Sequence, residues 1–540
     1  MKRLIYSLIV IFVVGACVPE PTEPLYYELE APGGNIKVEI VIDSTISLSI
    51  MDSSRVIVDM QEIYMEMDDG RAFGLAENGM LPLKDVNTSS VDRVMKTPFS
   101  RNSSALVKYN GVDFVFKGYG LRIRAYDSGV AYRFFTKSHS RFGVISENAD
   151  FVVRDADLSS MEDTLVPAPL IVKSNDRNIL ISDNDIERYP KMYLLREGGH
   201  LKGSFVPILA GNSRVLAYGN GPCEFPWRVI GYSNDKSLLS DDLMYLLGDD
   251  PIIRRTDWIK PGKALAVSGD SLLREAVDFA SEYGIEYVVT GSCADIEEDI
   301  RYAERLGVGM IIHKKADELG GNLERAFRRY ASMGIKGLRL DFDRSDDFLS
   351  VQRINSICEQ AAQAGLILDL RGVNYPGLNR KYPNVLNSSR SDTVDSSRIH
   401  CVTDAGRMAG YIVFDSPLPE IHYGNPGMDS LYADFISSLP VTFDRVLPLD
   451  AVRDETVVIS RKKGKSWYVA GKNAGAPSDY TLDFGRIIVP GESYSVTMLA
   501  DSVGGTGYVI KEGIVNAFDK IDIPMASDGG FAIKLEPVQF

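Results

Sequence analysis

Between Gly334 and Val385 lie two short apolar runs, Gly337-Leu338-Arg339-Leu340-Asp341-Phe342-Asp343 and Leu366-Ile367-Leu368-Asp369-Leu370-Arg371-Gly372, each carrying acidic residues toward its end. Between them Phe348, Val351, Ile354, Ile357, Cys358, Ala361 and Ala362 recur at intervals of three and four, which predicts an amphipathic helix over 346–365. Strand, helix and strand in this order form the unit of a (β/α) barrel, whose chemistry sits where the strands end. Asp341 is therefore the first candidate for a reactive side chain. The competing reading is a carboxylate that caps the next helix or pairs with Arg339 or Arg344.

The same unit recurs upstream. Short apolar runs at 264–268, 285–290 and 309–313 alternate with helical patterns at 272–283, 296–306 and 323–333, and such alternation specifies parallel strands with crossover helices. Before it, runs such as Ile36–Ile42, Leu121–Tyr126 and Val130–Phe135 read as half-buried antiparallel strands. Strand patterning returns after Thr456. The expected architecture is a large N-terminal β-sandwich over 26–255, a (β/α) barrel over 256–440 and a small C-terminal β-sandwich over 441–540. Three further units of ~30 residues each do not fit between Arg371 and Tyr411, so the barrel is expected to be shortened or partly open.

The first seventeen residues place Lys2 and Arg3 before an apolar run from Leu4 to Val14 and end at Cys17. That run is too short to span a bilayer, which takes about 20 residues, and reads as a cleaved secretory signal. Val14-Gly15-Ala16-Cys17 has the shape of a lipobox, with Cys17 lipidated and residues 18–25, carrying Pro19, Pro21 and Pro24, as a tether. An ordinary signal peptide is the alternative. Both readings export the protein, the first as a periplasmic or outer-membrane lipoprotein. Cys223, Cys293, Cys358 and Cys401 match no zinc or redox spacing. The net charge of -15 and the absence of a long basic run argue against nucleic acid and suit a neutral ligand.

GIKGLRLDFDRSDD, LILDLRG and YPGLNRKYPNV, with ISDNDIERYPKMYL, PWRVIGY, DWIKPGK and GKSWYVAGKNA in the same order, resemble glycoside hydrolase family 97, bacterial α-glucosidases and α-galactosidases of gut Bacteroidetes. The resemblance covers nearly all of the mature chain. It implies a retaining reaction with Asp341, at the end of the fourth barrel strand, as nucleophile. A second carboxyl about 5–5.5 Å away would then act as acid and base. The family carries two glutamates after its TYPN-like stretch, whereas VLNSSRSDTVDSSR follows Tyr382-Pro383-Asn384 here. Counting without a gap puts Ser389 at a calcium-ligand position and Asp395 at that of the proton donor. Asp392 is the other candidate, and a solvated loop carboxylate a third reading.

The resemblance also implies calcium, with a sandwich ligand at Asp183, although Ser389 removes one charge from the set. Asp369, Arg371 and Tyr382 are the expected substrate-binding residues, since Trp227, Trp258 and Trp467 all fall away from the predicted rim. His313 and His400 are isolated and read as structural rather than catalytic. Two functions follow. One is retaining hydrolysis of α-glucosides or α-galactosides by Asp341 and Asp395. The other is a non-catalytic surface lipoprotein that binds a glycan or a partner. Mass spectrometry of the mature protein should find a lipid-modified Cys17 at its N-terminus; a product cut elsewhere defeats that expectation.

Overall fold

The computed structural model describes residues 23–538 apart from 162–163, 212, 268, 270–271, 292–295, 344–345, 390–402, 424–428, 453–454 and 503–506. Period-two alternation in the N-terminal half becomes strands with one wet face: Ile36–Ile42 buries Ile36, Val38, Ile40 and Ile42 and turns Glu39 outward. Two sheets of eight strands pack their apolar faces into one core containing Leu48, Phe114, Ile123, Phe151 and Ile181. Gly129–Thr136 is buried at every residue, because Trp227, Leu243 and Leu246 cover its second face.

In the centre, seven parallel strands alternate with helices, and we number these elements from here. The strands are β1 (Ala264–Ala266), β2 (Tyr287–Thr290), β3 (Gly309–Lys315), β4 (Gly337–Asp341), β5 (Ile367–Arg371), β6 (Val385–Ser389) and β7 (Glu420–His422). The helices are α1 (Leu273–Glu282), α2 (Ile296–Arg305), α3 (Leu323–Ser332), α4 (Phe348–Gln363), α5 (Leu378–Lys381), α6 (Asp404–Val413) and α7 (Ser430–Ser437). Helix α4 starts where the Asp347 carboxylate accepts the Ser350 N–H at 2.9 Å and ends before Gly365, whose φ of 74° suits a residue without a Cβ.

The strand order is β6-β5-β4-β3-β2-β1-β7, so the last strand returns to lie beside the first, with Ala264 opposite Glu420 and Ala266 opposite His422. Among the described residues, β6 and β7 share no backbone ladder. Side chains tie them instead: Asn387 Nδ2 donates to the Leu418 carbonyl and Ser416 Oγ donates to Asn387 Oδ1, each at 2.7 Å. The shortened-barrel expectation is met by a (β/α) barrel with one unclosed seam.

Alternation also divides the barrel. Met310, Ile312, Leu338, Leu340, Leu368 and Leu370 face the helices, and Val289, Ile311, Ile367, Leu386 and Leu418 form an apolar floor inside. Helix α6 lies between barrel and C-terminal sandwich: Met408, Ala409 and Ile412 share one core with Ala470, Leu499 and Ala532 of the six-stranded C-terminal sheet. On the other side, the N-terminal sandwich meets the loops that follow the barrel strands. The Asp346 carboxylate, beyond β4, accepts from Tyr193 Oη at 2.5 Å and Tyr375 Oη at 3.1 Å, and its carbonyl accepts the Lys191 N–H at 2.9 Å.

The YPN motif is structural. Asn384 is fully buried and its Nδ2 donates to the carbonyls of Cys358 in α4 and Leu366 before β5, each at 3.2 Å. Asn384→Ala withdraws a donor from two buried carbonyls and should cost about 1–3 kcal/mol, read as a melting temperature several degrees lower.

Candidate active site at the barrel rim

Above the apolar floor, the inward positions turn polar as the strands reach their C-terminal ends. Strand β3 delivers His313, β4 delivers Arg339 and Asp341, β5 delivers Asp369 and Arg371, and β7 delivers Glu420. Arg339 is 3% exposed; its Nε donates to Asp369 Oδ2 at 2.7 Å and its Nη2 lies 3.0 Å from Glu420 Oε2. Arg371 donates to the same glutamate oxygen. Burial works against the Arg339 charge, but Asp369 and Glu420 outweigh it and hold the guanidinium above its ordinary value. Two cations and two anions close a neutral quartet that connects β4 and β5 to β7 across the barrel interior.

Asp341 lies one inward step above Arg339. Its Oδ2 is 2.7 Å from His313 Nε2, and both side chains keep about a third of their surface, 35% and 36%. Its Oδ1 is buried and has no hydrogen-bond partner. Buried polar atoms are satisfied almost everywhere in proteins, and a catalytic role is one explanation for an exception. His313, read as structural from its isolation in sequence, is the residue that holds Asp341. Helix capping falls to Asp347 instead.

A cavity of about 970 Å³ opens beside this rim, lined by Asp369, Arg371, Glu420 and His422, and it runs along the seam to Tyr232 and Tyr245 of the N-terminal sandwich and Tyr411 of α6. Its size matches pockets that take small ligands. Asp341 is not among its described lining residues; Arg371, its register partner across β4 and β5, is. The cavity therefore lies to one side of the carboxylate, where the barrel wall is open.

Other expected site residues fall differently. Tyr382 is 2% exposed within the core between barrel and helices, so it packs rather than binds substrate. Asp369 lines the cavity, but its carboxylate is engaged by Arg339. Asp395, Asp392, His400 and Cys17 lie outside the described residues. Asp183 is fully buried beside the rim loops, with Oδ1 3.2 Å from Lys191 Nζ and Oδ2 accepting the Met192 N–H at 2.7 Å. The carboxylate expected as a calcium ligand is thus an ion-pair partner, and its surroundings do not fit that ion.

Among the described residues, one group of acidic oxygens is spaced to share a metal: Asp185, Glu187 and Asp249. Protein cations already reach it. Lys381 Nζ of α5 is 2.6 Å from Glu187 and 3.3 Å from Asp249, and Arg133 Nη1 is 3.1 Å from Asp185. Sequence reasoning missed Glu420 and Lys191. The signal for the first was the Glu-Ile-His alternation after Pro419, which puts Glu420 and His422 on one face; for the second, a lysine set between Tyr-Pro and an apolar run.

The chain matches the family models Glycosyl-hydrolase 97 N-terminal over 29–160 and 152–249, Glycoside hydrolase 97 over 268–389, and Glycosyl-hydrolase 97 C-terminal, oligomerisation, over 442–536. It is 27% identical to a retaining alpha-galactosidase of Bacteroides thetaiotaomicron, covering 99% of this chain and all of that protein. That alignment spans 677 positions, more than the 540 residues here, so the relative carries segments this chain lacks. A probable retaining alpha-galactosidase of Streptomyces bingchenggensis is 24% identical over 81% of each chain. Among solved structures, a Glycoside Hydrolase Family 97 enzyme in complex with acarbose, from Pseudoalteromonas sp., has the same fold, with a TM-score of 0.82 and 18% identity over 95% of this chain and all of that one.

The acidic group beside α5 yields a pH dependence. Burial first, then Asp249, raises the Asp185 carboxyl from 3.8 to about 7. A raised folded value means that the native state binds more protons than the unfolded chain, so this stabilisation is present below ~4 and is lost as pH rises toward ~7. Asp185→Asn stays neutral throughout and tolerates the φ of 60° at this position. The fall in melting temperature from about pH 4 to about pH 8 should be smaller in the variant than in the parent.

Proposed function

The chain belongs to glycoside hydrolase family 97, and on that premise we propose that it hydrolyses α-galactosides with retention, using Asp341 as nucleophile. The observation that carries this reading is the place of the Asp341 carboxylate: held by His313 through Oδ2, partly exposed, at the C-terminal end of a barrel strand. With the carboxylate ionised, His313 Nε2 carries the proton and donates to Oδ2. That contact fixes the plane of the carboxyl group, whose side chain keeps 35% of its surface at the rim and from there attacks the anomeric carbon. A covalent glycosyl-enzyme forms as the glycosidic oxygen leaves with a proton, and water then releases the sugar. The alignment along the full length of a retaining alpha-galactosidase favours galactosides over glucosides.

Asp395, the acidic residue that the family pattern sets after β6, is our assignment for the acid and base. Glu420 does not suit that task, because both Arg339 and Arg371 occupy it. We also place the mature protein outside the cytoplasm, held by lipid on Cys17. Calcium, which the family implies, enters no step here.

A second reading has an observation behind it. The other inward carboxylates of the rim, Asp369 and Glu420, are both bound to arginines, while the large cavity beside them combines aliphatic side chains and tyrosines with a smaller share of polar groups. Such a site can hold a glycan without cutting it. Aryl α-galactosides decide between the two. Turnover giving the α-anomer first in NMR, reduced by several orders of magnitude in Asp341→Ala, supports hydrolysis. Calorimetric binding of galacto-oligosaccharides without turnover supports the binding reading.

A further inference from the structure

The hydrolytic reading leaves one fully buried charge pair unused. Asp183 ends a strand of the N-terminal sandwich, Arg177–Asn184, and Lys191 lies in the connection that leads to the next strand, Tyr193–Glu197. Both are 0% exposed, and their charged atoms are 3.2 Å apart. A buried carboxylate must be matched by positive charge and hydrogen bonds or it does not remain ionised. Here both oxygens are matched: Oδ1 by the ammonium, Oδ2 by the Met192 N–H.

We infer that the Lys191 ammonium is the resident cation at the seam between sandwich and rim, so that this chain takes no divalent ion at Asp183. The chemistry of the surrounding groups separates the two kinds of cation. Calcium requires about 6–8 oxygen ligands at ~2.3–2.6 Å. The neighbour presented to Lys191 Nζ is the face of the Tyr375 ring, its centroid 5.6 Å away, which attracts an ammonium but cannot ligate a hard dication. The next carboxylate along the seam, Asp346, accepts from the hydroxyls of Tyr193 and Tyr375. The backbone of the same segment is also committed, since the Lys191 N–H binds the Asp346 carbonyl. The lysine thus serves the seam twice: its charge satisfies Asp183 against the Tyr375 ring, and its backbone N–H holds the β4–α4 loop that follows Asp341.

The test needs no substrate, so its outcome is independent of whether the protein hydrolyses anything. The full mature protein, freed of metal with a chelator, is melted in EDTA and in calcium chloride. The wild-type midpoint should be the same in both. Lys191→Met keeps most of the stem and removes the charge; its midpoint should fall by about 5 °C or more. The double variant Asp183→Asn with Lys191→Met should regain most of that loss, because no unpaired charge remains. It also keeps the test readable if the single variant does not fold. Calcium stabilisation of the wild type that Asp183→Asn abolishes would overturn the assignment, as would a Lys191→Met protein as stable as the parent in EDTA, or a double variant no better than the single one. Calcium stabilisation that survives Asp183→Asn leaves the assignment standing, since the ion then avoids this carboxylate.

Discussion

The central barrel depends on the quartet of Arg339, Asp369, Arg371 and Glu420. In a closed (β/α) barrel, hydrogen bonds run from each strand to the next around the ring, and side chains merely fill the interior. Here, among the described residues, the ladder stops at β6 and β7, and the polar interior takes over part of its work. Glu420 on β7 accepts from arginines on β4 and β5, so the strand that returns beside β1 is also held from across the barrel. Removing any one member would strand a buried charge, which costs far more than the intact pair contributes. This explains why acidic and basic residues alternate with leucines in strands that otherwise read as fully buried.

The same arrangement sets the character of the rim. Asp369 and Glu420 are neutralised below, while Asp341, one step higher, is held by a histidine and keeps about a third of its side-chain surface open. Position along the strand thus separates structural carboxylates from a reactive one on the same inward face. The N-terminal sandwich then covers the loops through Tyr193, Lys191 and Asp346, so that the rim has a ceiling as well as a floor.

Much of this was legible before any coordinates. The spacing of Phe348 to Ala362 gave α4 to within two residues, and the run through Leu340 gave the strand that carries Asp341. The arithmetic of chain length gave an incomplete barrel. What sequence could not supply were partners distant along the chain. Asp369, inside a barrel strand, and Tyr382, in the segment after it, looked like binding residues, yet Arg339 from one strand away and the apolar core between barrel and helices claim them. His313 looked isolated because 28 residues separate it from Asp341. Asp183 looked like a metal ligand until Lys191, eight positions on, folded back against it. In each case a local pattern was read correctly and the tertiary partner decided its meaning.

The seam between β6 and β7 has a mechanical consequence. A continuous ring resists widening at every strand simultaneously, so no single residue controls its girth. A ring with a slit behaves as a spring clip, whose opening is set by whatever bridges the gap. Among the described residues Asn387 bridges the gap directly, with its two hydrogen bonds to Ser416 and Leu418, the arginines on Glu420 hold β7 from across the barrel, and the large cavity lies along the slit. Changing that asparagine would loosen the direct bridge alone and leave the arginine contacts to Glu420 in place.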